Sequence, residues 1–150
     1  MAENTTDFIP CMLIPLRHYF LLLPNSTIAE VIPMPQLTTM PDKPDSWLGE
    51  CTWHDRLLPV INIEALIKSK DIDISGANKL CVLHGINDSS DLPVYALPCY
   101  GVPQLIHLNE STLLMAEDSE ESDFLLFQLP IGNKLAYIPN LDSIEISLSH

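Results

Sequence analysis

The chain has 150 residues, 47% of them apolar and 18% charged, with 7 Lys and Arg against 20 Asp and Glu for a formal net charge of −13. That length suits one domain or two small lobes sharing a core, and the apolar fraction is enough to fill it. Such acidity argues against nucleic acid and against anionic lipid, both of which repel it, and favours a basic patch on a protein partner.

The N-terminal stretch Met1–Asp7 carries two acids and no basic segment ahead of an apolar one, so the sequence predicts no secretory signal. Apolar stretches such as Tyr19–Leu23 fall far short of the roughly 20 residues of a spanning helix, so no membrane insertion is expected. Cys11, Cys51, Cys81 and Cys99 each lie in apolar surroundings and far apart in sequence. They read as free, buried thiols of a reducing, cytoplasmic compartment. The N-x-S/T triplets at Asn4, Asn25, Asn87 and Asn109 mark exposed turns.

With 13 prolines punctuating short apolar runs, long helices are excluded and short strands are favoured. Taken in chain order, strands are predicted near Cys11–Leu16, Tyr19–Leu23, Ala29–Pro33, Leu48–Trp53, Leu57–Ile61, Leu80–Leu83, Val94–Pro98, Gln104–Leu108, Phe124–Leu129 and Ala136–Pro139. A mainly β fold of barrels or a sandwich follows. One segment departs from the pattern: in Asn62–Lys70, the residues Ile63, Leu66 and Ile67 recur at helical spacing. Asn62 is placed to cap this short helix, with Glu64 in its first turn and Lys68 and Lys70 in its last. Pro35–Ser46, Ser69–Asn78 and Glu117–Asp123 read as loops; the last is a solvated acidic run that could also steer a basic partner.

The search for chemistry is negative. No close pair of Cys or His has the spacing of a structural zinc site, and His18, His54, His84 and His107 are dispersed. There is no G-x-S-x-G elbow, and five isolated glycines cannot form a phosphate loop. No catalytic residue, metal or cofactor is therefore assigned. What remains is binding, and Trp47–Ile67 is the most informative block. Strand alternation points Trp47, Gly49, Cys51 and Trp53 to one face, with Trp53 largely buried. His54-Asp55-Arg56 reads as a polar hairpin turn, and Leu57–Ile61 as a strand buried on both sides.

These residues fall in a familiar order. Ile28-Ala29-Glu30-Val31 resembles a V-x-E-[IV] stretch, and Met40-Pro41-Asp42-Lys43-Pro44 a proline-containing loop. Gly49, Trp53-His54-Asp55, Pro59-Val60 and Ile63 follow the frame G-x-x-N-x-R-G-x-x-x-P-V-x-x-L. Leu80–Leu83, Val94–Leu97 and Ala136–Leu141 continue the rhythm. From about Cys11 to Leu148 the chain resembles the CheW-like chemotaxis adaptors. Its W-x-x-x-x-x-P and P-N variants look closest to those of type IV pilus chemosensory systems.

The resemblance implies one domain made of two packed, SH3-like, five-stranded β-barrels with one short helix. It implies a non-catalytic adaptor that binds the regulatory domain of a CheA-type histidine kinase and the cytoplasmic tip of chemoreceptors. The partner-binding residues it suggests are Glu30, Val31, Gly49, Trp53, His54, Asp55 and Arg56. The family's Arg-Gly turn is here His54-Asp55, with Arg56 one residue later. In the family that Arg can pair with the glutamate matched by Glu30, so His54 or Arg56 should take its place, Arg56 offering the better fork. The departure leaves open a specialised regulatory module with a different protein partner. A β-barrel hydrolase or metal enzyme is the more remote alternative.

Overall fold

A computed structural model describes residues 8–17, 19–43, 46–68, 75–87, 92–109, 111, 117–118, 124–131 and 134–148. Its elements in order are β1 (Ile9–Pro15), β2 (Phe20–Pro24), a single 3-10 turn (Asn25–Thr27), β3 (Ile28–Pro33), β4 (Trp47–Trp53), β5 (Arg56–Ile61) and α1 (Ile63–Lys68). There follow β6 (Lys79–His84), β7 (Val94–Cys99), β8 (Gln104–Leu108), β9 (Glu117–Asp118), β10 (Leu125–Ile131), β11 (Lys134–Pro139) and α2 (Leu141–Leu148).

The strands form two sheets. One runs β8-β1-β2-β11-β10, with the two-residue β9 added at its edge; the other runs β3-β6-β7-β5-β4. The chain therefore starts the first sheet, builds the whole of the second, and returns to finish the first. Among the described residues, only β2–β11 and β5–β7 pair in parallel.

Three apolar clusters explain why so many strands lack a polar face. Leu13, Leu22, Leu129 and Ala136 pack within the first sheet, and Leu58, Val60, Leu80, Val82, Val94 and Ala96 within the second. A larger cluster lies between the sheets and joins Ile14, Leu21, Ile61, Leu83, Tyr95, Leu97, Leu125 and Ile144. Alternation sends Leu13 to one core and its neighbour Ile14 to another; Val60 and Ile61 divide in the same way. All six residues of β7 are consequently buried. Each side chain fully removed from water contributes about 1.5–3 kcal/mol.

All ten predicted strands are present, and the doubly buried reading of Leu57–Ile61 holds for Leu58, Val60 and Ile61, while Pro59 is half-buried. Leu57 itself is 64% exposed; it stands next to the turn of the hairpin, opposite Thr52. The predicted helix is α1: Ala65 N–H donates to Asn62 Oδ1 at 3.2 Å, the cap expected there. Lys70 and most of the Ser69–Asn78 loop lie outside the described residues, as do residues 119–123 of the acidic run; Glu117 and Asp118 pair with β10 as β9.

Two features go beyond the sequence reading. Helix α2 follows the last strand, capped by Asn140, whose Oδ1 accepts Ser143 N–H at 3.2 Å. It buries Leu141, Ile144, Glu145 and Leu148 against the shared core. The alternation expected along Trp47, Gly49, Cys51 and Trp53 is broken. Trp47 pairs with Ile61 but Gly49 with Val60, so Leu48 forms a bulge. Trp47 then packs on the shared core, while Leu48, Cys51 and Trp53 pack within the second sheet. Among the described residues, no helix is long and apolar enough to cross a membrane.

Candidate functional site

Strands β3 and β4 stand at opposite edges of the second sheet, yet their side chains meet. Trp53 Nε1–H donates to Glu30 Oε1 at 2.8 Å, and His54 Nε2 lies 3.1 Å from the same oxygen. The sheet has thus rolled up until its two edges touch. Past β3 the closure continues through backbone: Thr38 N–H donates to Glu50 O at 2.8 Å, and Glu50 N–H to Thr38 O at 2.9 Å.

Local irregularities aim these groups. In β3, Ile28 pairs with Leu83 and Glu30 with Val82, so Ala29 is an extra residue that re-directs Glu30. The β4–β5 connection is a two-residue turn with His54 at φ 48° and Asp55 at φ 63°. Left-handed backbone at both positions gives the twist that a tight hairpin needs, and His and Asp tolerate it better than most residues. Gly49 supports the closure from behind. Its φ is 152°, and a Cβ there would stand 2.5 Å from Thr38 O, so only glycine lets that segment pass.

Trp53 is half-buried, not largely buried as the strand pattern suggests. Its ring packs within the second sheet and edge-on to His54, with centroids 4.6 Å apart, while Nε1 reaches outward to Glu30. Glu30 and His54 side chains are 45% and 68% exposed. The Trp53 hydrogen bond, then that of His54, holds the Glu30 carboxyl below the usual carboxylate range.

The expected fork from Arg56 is absent. Glu30 pairs with Trp53 and His54, while Arg56 is exposed on β5, one strand removed from the closing edge. Asp55 is exposed in the turn. Val31 is half-buried against the shared core, and Gly49 is buried. The structure therefore brings Glu30, Trp53 and His54 together, sets Asp55 and Arg56 beside them, and leaves Val31 and Gly49 as support. Leu57, exposed next to the turn, was not among the sequence-based candidates; a run of five apolar residues gives no sign of which one stays in water.

Residues 10–145 match the family model of the CheW-like domain. The chain belongs to the CheW-like family. The scaffolding protein TtCheW from Thermoanaerobacter tengcongensis has the same fold, with a TM-score of 0.70 over 89% of this chain and 90% of that one, at 15% identity. No match is found among curated proteins. The two sheets, each of five full strands with the short β9 added to one, are thus the CheW-like fold, and the site lies where the second one closes. In this CheW-like domain, the hairpin that carries Arg-Gly in the family pattern carries His54-Asp55, and the glutamate is met by an indole and an imidazole.

An open groove of about 520 Å³ near the β1–β2 connection is lined by Pro15, Leu16, Arg17, Tyr19, Phe20, Tyr100, Leu135 and Tyr137. Among the described residues of this lining there is no carboxylate, thiol or imidazole. Among the described residues, no group of three His, Cys, Asp or Glu could hold a metal ion.

Proposed function

We propose that this CheW-like domain is a non-catalytic adaptor that couples chemoreceptors to a CheA-type histidine kinase. It works in the cytoplasm as one domain of two lobes, and contacts its partner through the hairpin turn and the strand edge that closes on it. Membership of the CheW-like family over residues 10–145 carries the reading. The exposed Glu30, His54, Asp55 and Arg56 beside the exposed Leu57 support it, since they combine an apolar anchor with a polar rim. Calorimetric titration of the purified chain with the regulatory domain of the CheA-type kinase from the same cell tests it. Saturable one-to-one binding is expected, and no heat at high protein concentration would refute it.

The pathway we propose is a type IV pilus chemosensory system, on the tryptophan–proline spacing of Trp53 and Pro59. Deleting the gene should impair twitching and leave flagellar swimming intact; the opposite phenotype would assign it to flagellar chemotaxis. The His54-Asp55 turn favours a second reading, a specialised module of the same fold with another protein partner. Capture of a different signalling protein in place of the kinase would decide for it.

A further inference from the structure

We infer that Trp53 is a positioning residue of the partner-binding face: together with His54 it holds one oxygen of Glu30, so that the other is offered to a basic group on the partner. The inference deepens the adaptor reading and rests on it for the identity of the partner, but not for the geometry.

Both contacts fall on Oε1, from Trp53 Nε1 at 2.8 Å and His54 Nε2 at 3.1 Å. Among the described residues, Oε2 has no hydrogen bond, and the side chain is 45% exposed. The chemistry of the donors explains the asymmetry. A guanidinium fork can satisfy both oxygens of a carboxylate at once, whereas an indole carries a single N–H. Trp53 is also better fixed than a long cationic side chain would be. Its ring is packed within the second sheet and stacked edge-on against His54, so the direction of its N–H is set by the core. The carboxylate is therefore oriented through one oxygen, and the other is left for a partner.

Charge identifies what it would accept. The chain carries a net charge of −13, and Asp55 is exposed in the same turn, so a Lys or Arg side chain fits and an acidic group does not. Arg56 is exposed on β5, one strand farther in, and the contacts to Glu30 come from Trp53 and His54.

Two measurements test this. The first follows the Glu30 carboxyl by carbon-detected NMR titration in the wild-type chain, Trp53→Phe and His54→Ala. Trp53→Phe keeps an aromatic ring and removes the N–H; thermal melting and the amide spectrum verify that it folds. The Glu30 titration should move up toward the ordinary carboxylate range in Trp53→Phe, and by less in His54→Ala. An unmoved titration in folded Trp53→Phe would overturn the clasp. The second measures binding to the regulatory domain of the CheA-type kinase at several salt concentrations. Trp53→Phe and Glu30→Gln should each bind roughly tenfold more weakly, and Glu30→Gln should also show a shallower salt dependence. Unchanged binding in both variants would overturn the partner half of the inference. A wild-type chain that binds no kinase domain would overturn the adaptor reading and that partner half, while the clasp itself would still be decided by the titration.

Discussion

Replacing Glu145 with alanine should destabilise the fold by about 3 kcal/mol. Glu145 projects from α2 and is fully buried. Its Oε1 accepts Ile86 N–H at 2.9 Å and Asn87 N–H at 2.8 Å; its Oε2 accepts Tyr95 O–H at 2.8 Å and shares Ile86 N–H at 3.1 Å. Tyr95 is itself fully buried, and burial followed by the charge of Glu145 raises its phenol, which keeps the hydroxyl a donor. Truncation leaves that hydroxyl without an acceptor and out of reach of water, at a cost of about 1–3 kcal/mol. The two backbone N–H groups are only partly buried, so water can restore part of their bonding, and about 1 kcal/mol is assigned to them together. Relief of the buried charge's desolvation offsets some of the sum. For a chain of this size, 3 kcal/mol lowers the thermal midpoint by about 6–12 °C. Tyr95→Phe removes only one of the donors and should cost about 1 kcal/mol. The double variant should lose less than the sum, because the orphaned hydroxyl is then gone. Urea unfolding of all four forms gives the cycle. Glu145→Ala within about 0.5 kcal/mol of wild type, or strictly additive losses, would refute the latch described here.

Gly49→Ala should cost about 2 kcal/mol in urea unfolding, since it adds a Cβ against Thr38 O in a left-handed backbone; an unchanged midpoint would show that the closing segment can give way. Burial raises the Cys81 thiol to about 12 and Cys99 to about 11, while Cys51 is only half-buried. Alkylation of the folded chain at pH 8 should therefore mark Cys51 well before Cys81 or Cys99, and mass spectrometry showing the reverse order would contradict the packing of β6 and β7. Because the Glu30 carboxyl is lowered, first by the Trp53 hydrogen bond, it favours the folded state above its unfolded-state pKa and loses that effect as pH falls through the lowered value. Glu30→Gln should slightly flatten the acid limb of the stability profile, and superimposable profiles would argue against the contact.

The sequence makes some of this structure legible and hides the rest for physical reasons. Apolar residues at successive positions in Leu80–Leu83 and Val94–Pro98 show strands without a wet face, and three adjoining cores are the cause. Helix α2 carries the spacing Leu141, Ile144, Leu148 and the cap Asn140, but these follow directly on the apolar strand ending at Pro139, and the strand alone is legible there. Bulges at Ala29 and Leu48 lie in the β3–β6 and β4–β5 pairings, whose register is set only in the folded chain, and alternation cannot show them. The order of Glu30 and the His54 turn did point to a contact between them. It could not show that Trp53, whose ring belongs to the core, would also supply the N–H. Nothing local marks Glu145 as buried, because its partners Ile86 and Tyr95 lie 59 and 50 residues away.

The proposed coupling of receptors to a kinase by this chain is tested most directly by reconstitution. Autophosphorylation of the CheA-type kinase is followed with membrane-bound receptor signalling domains, with and without the chain. Kinase activity is expected to follow receptor signalling state only when the chain is present. A kinase that responds equally well without it, or that ignores the receptors in its presence, would show that the chain is no coupling adaptor.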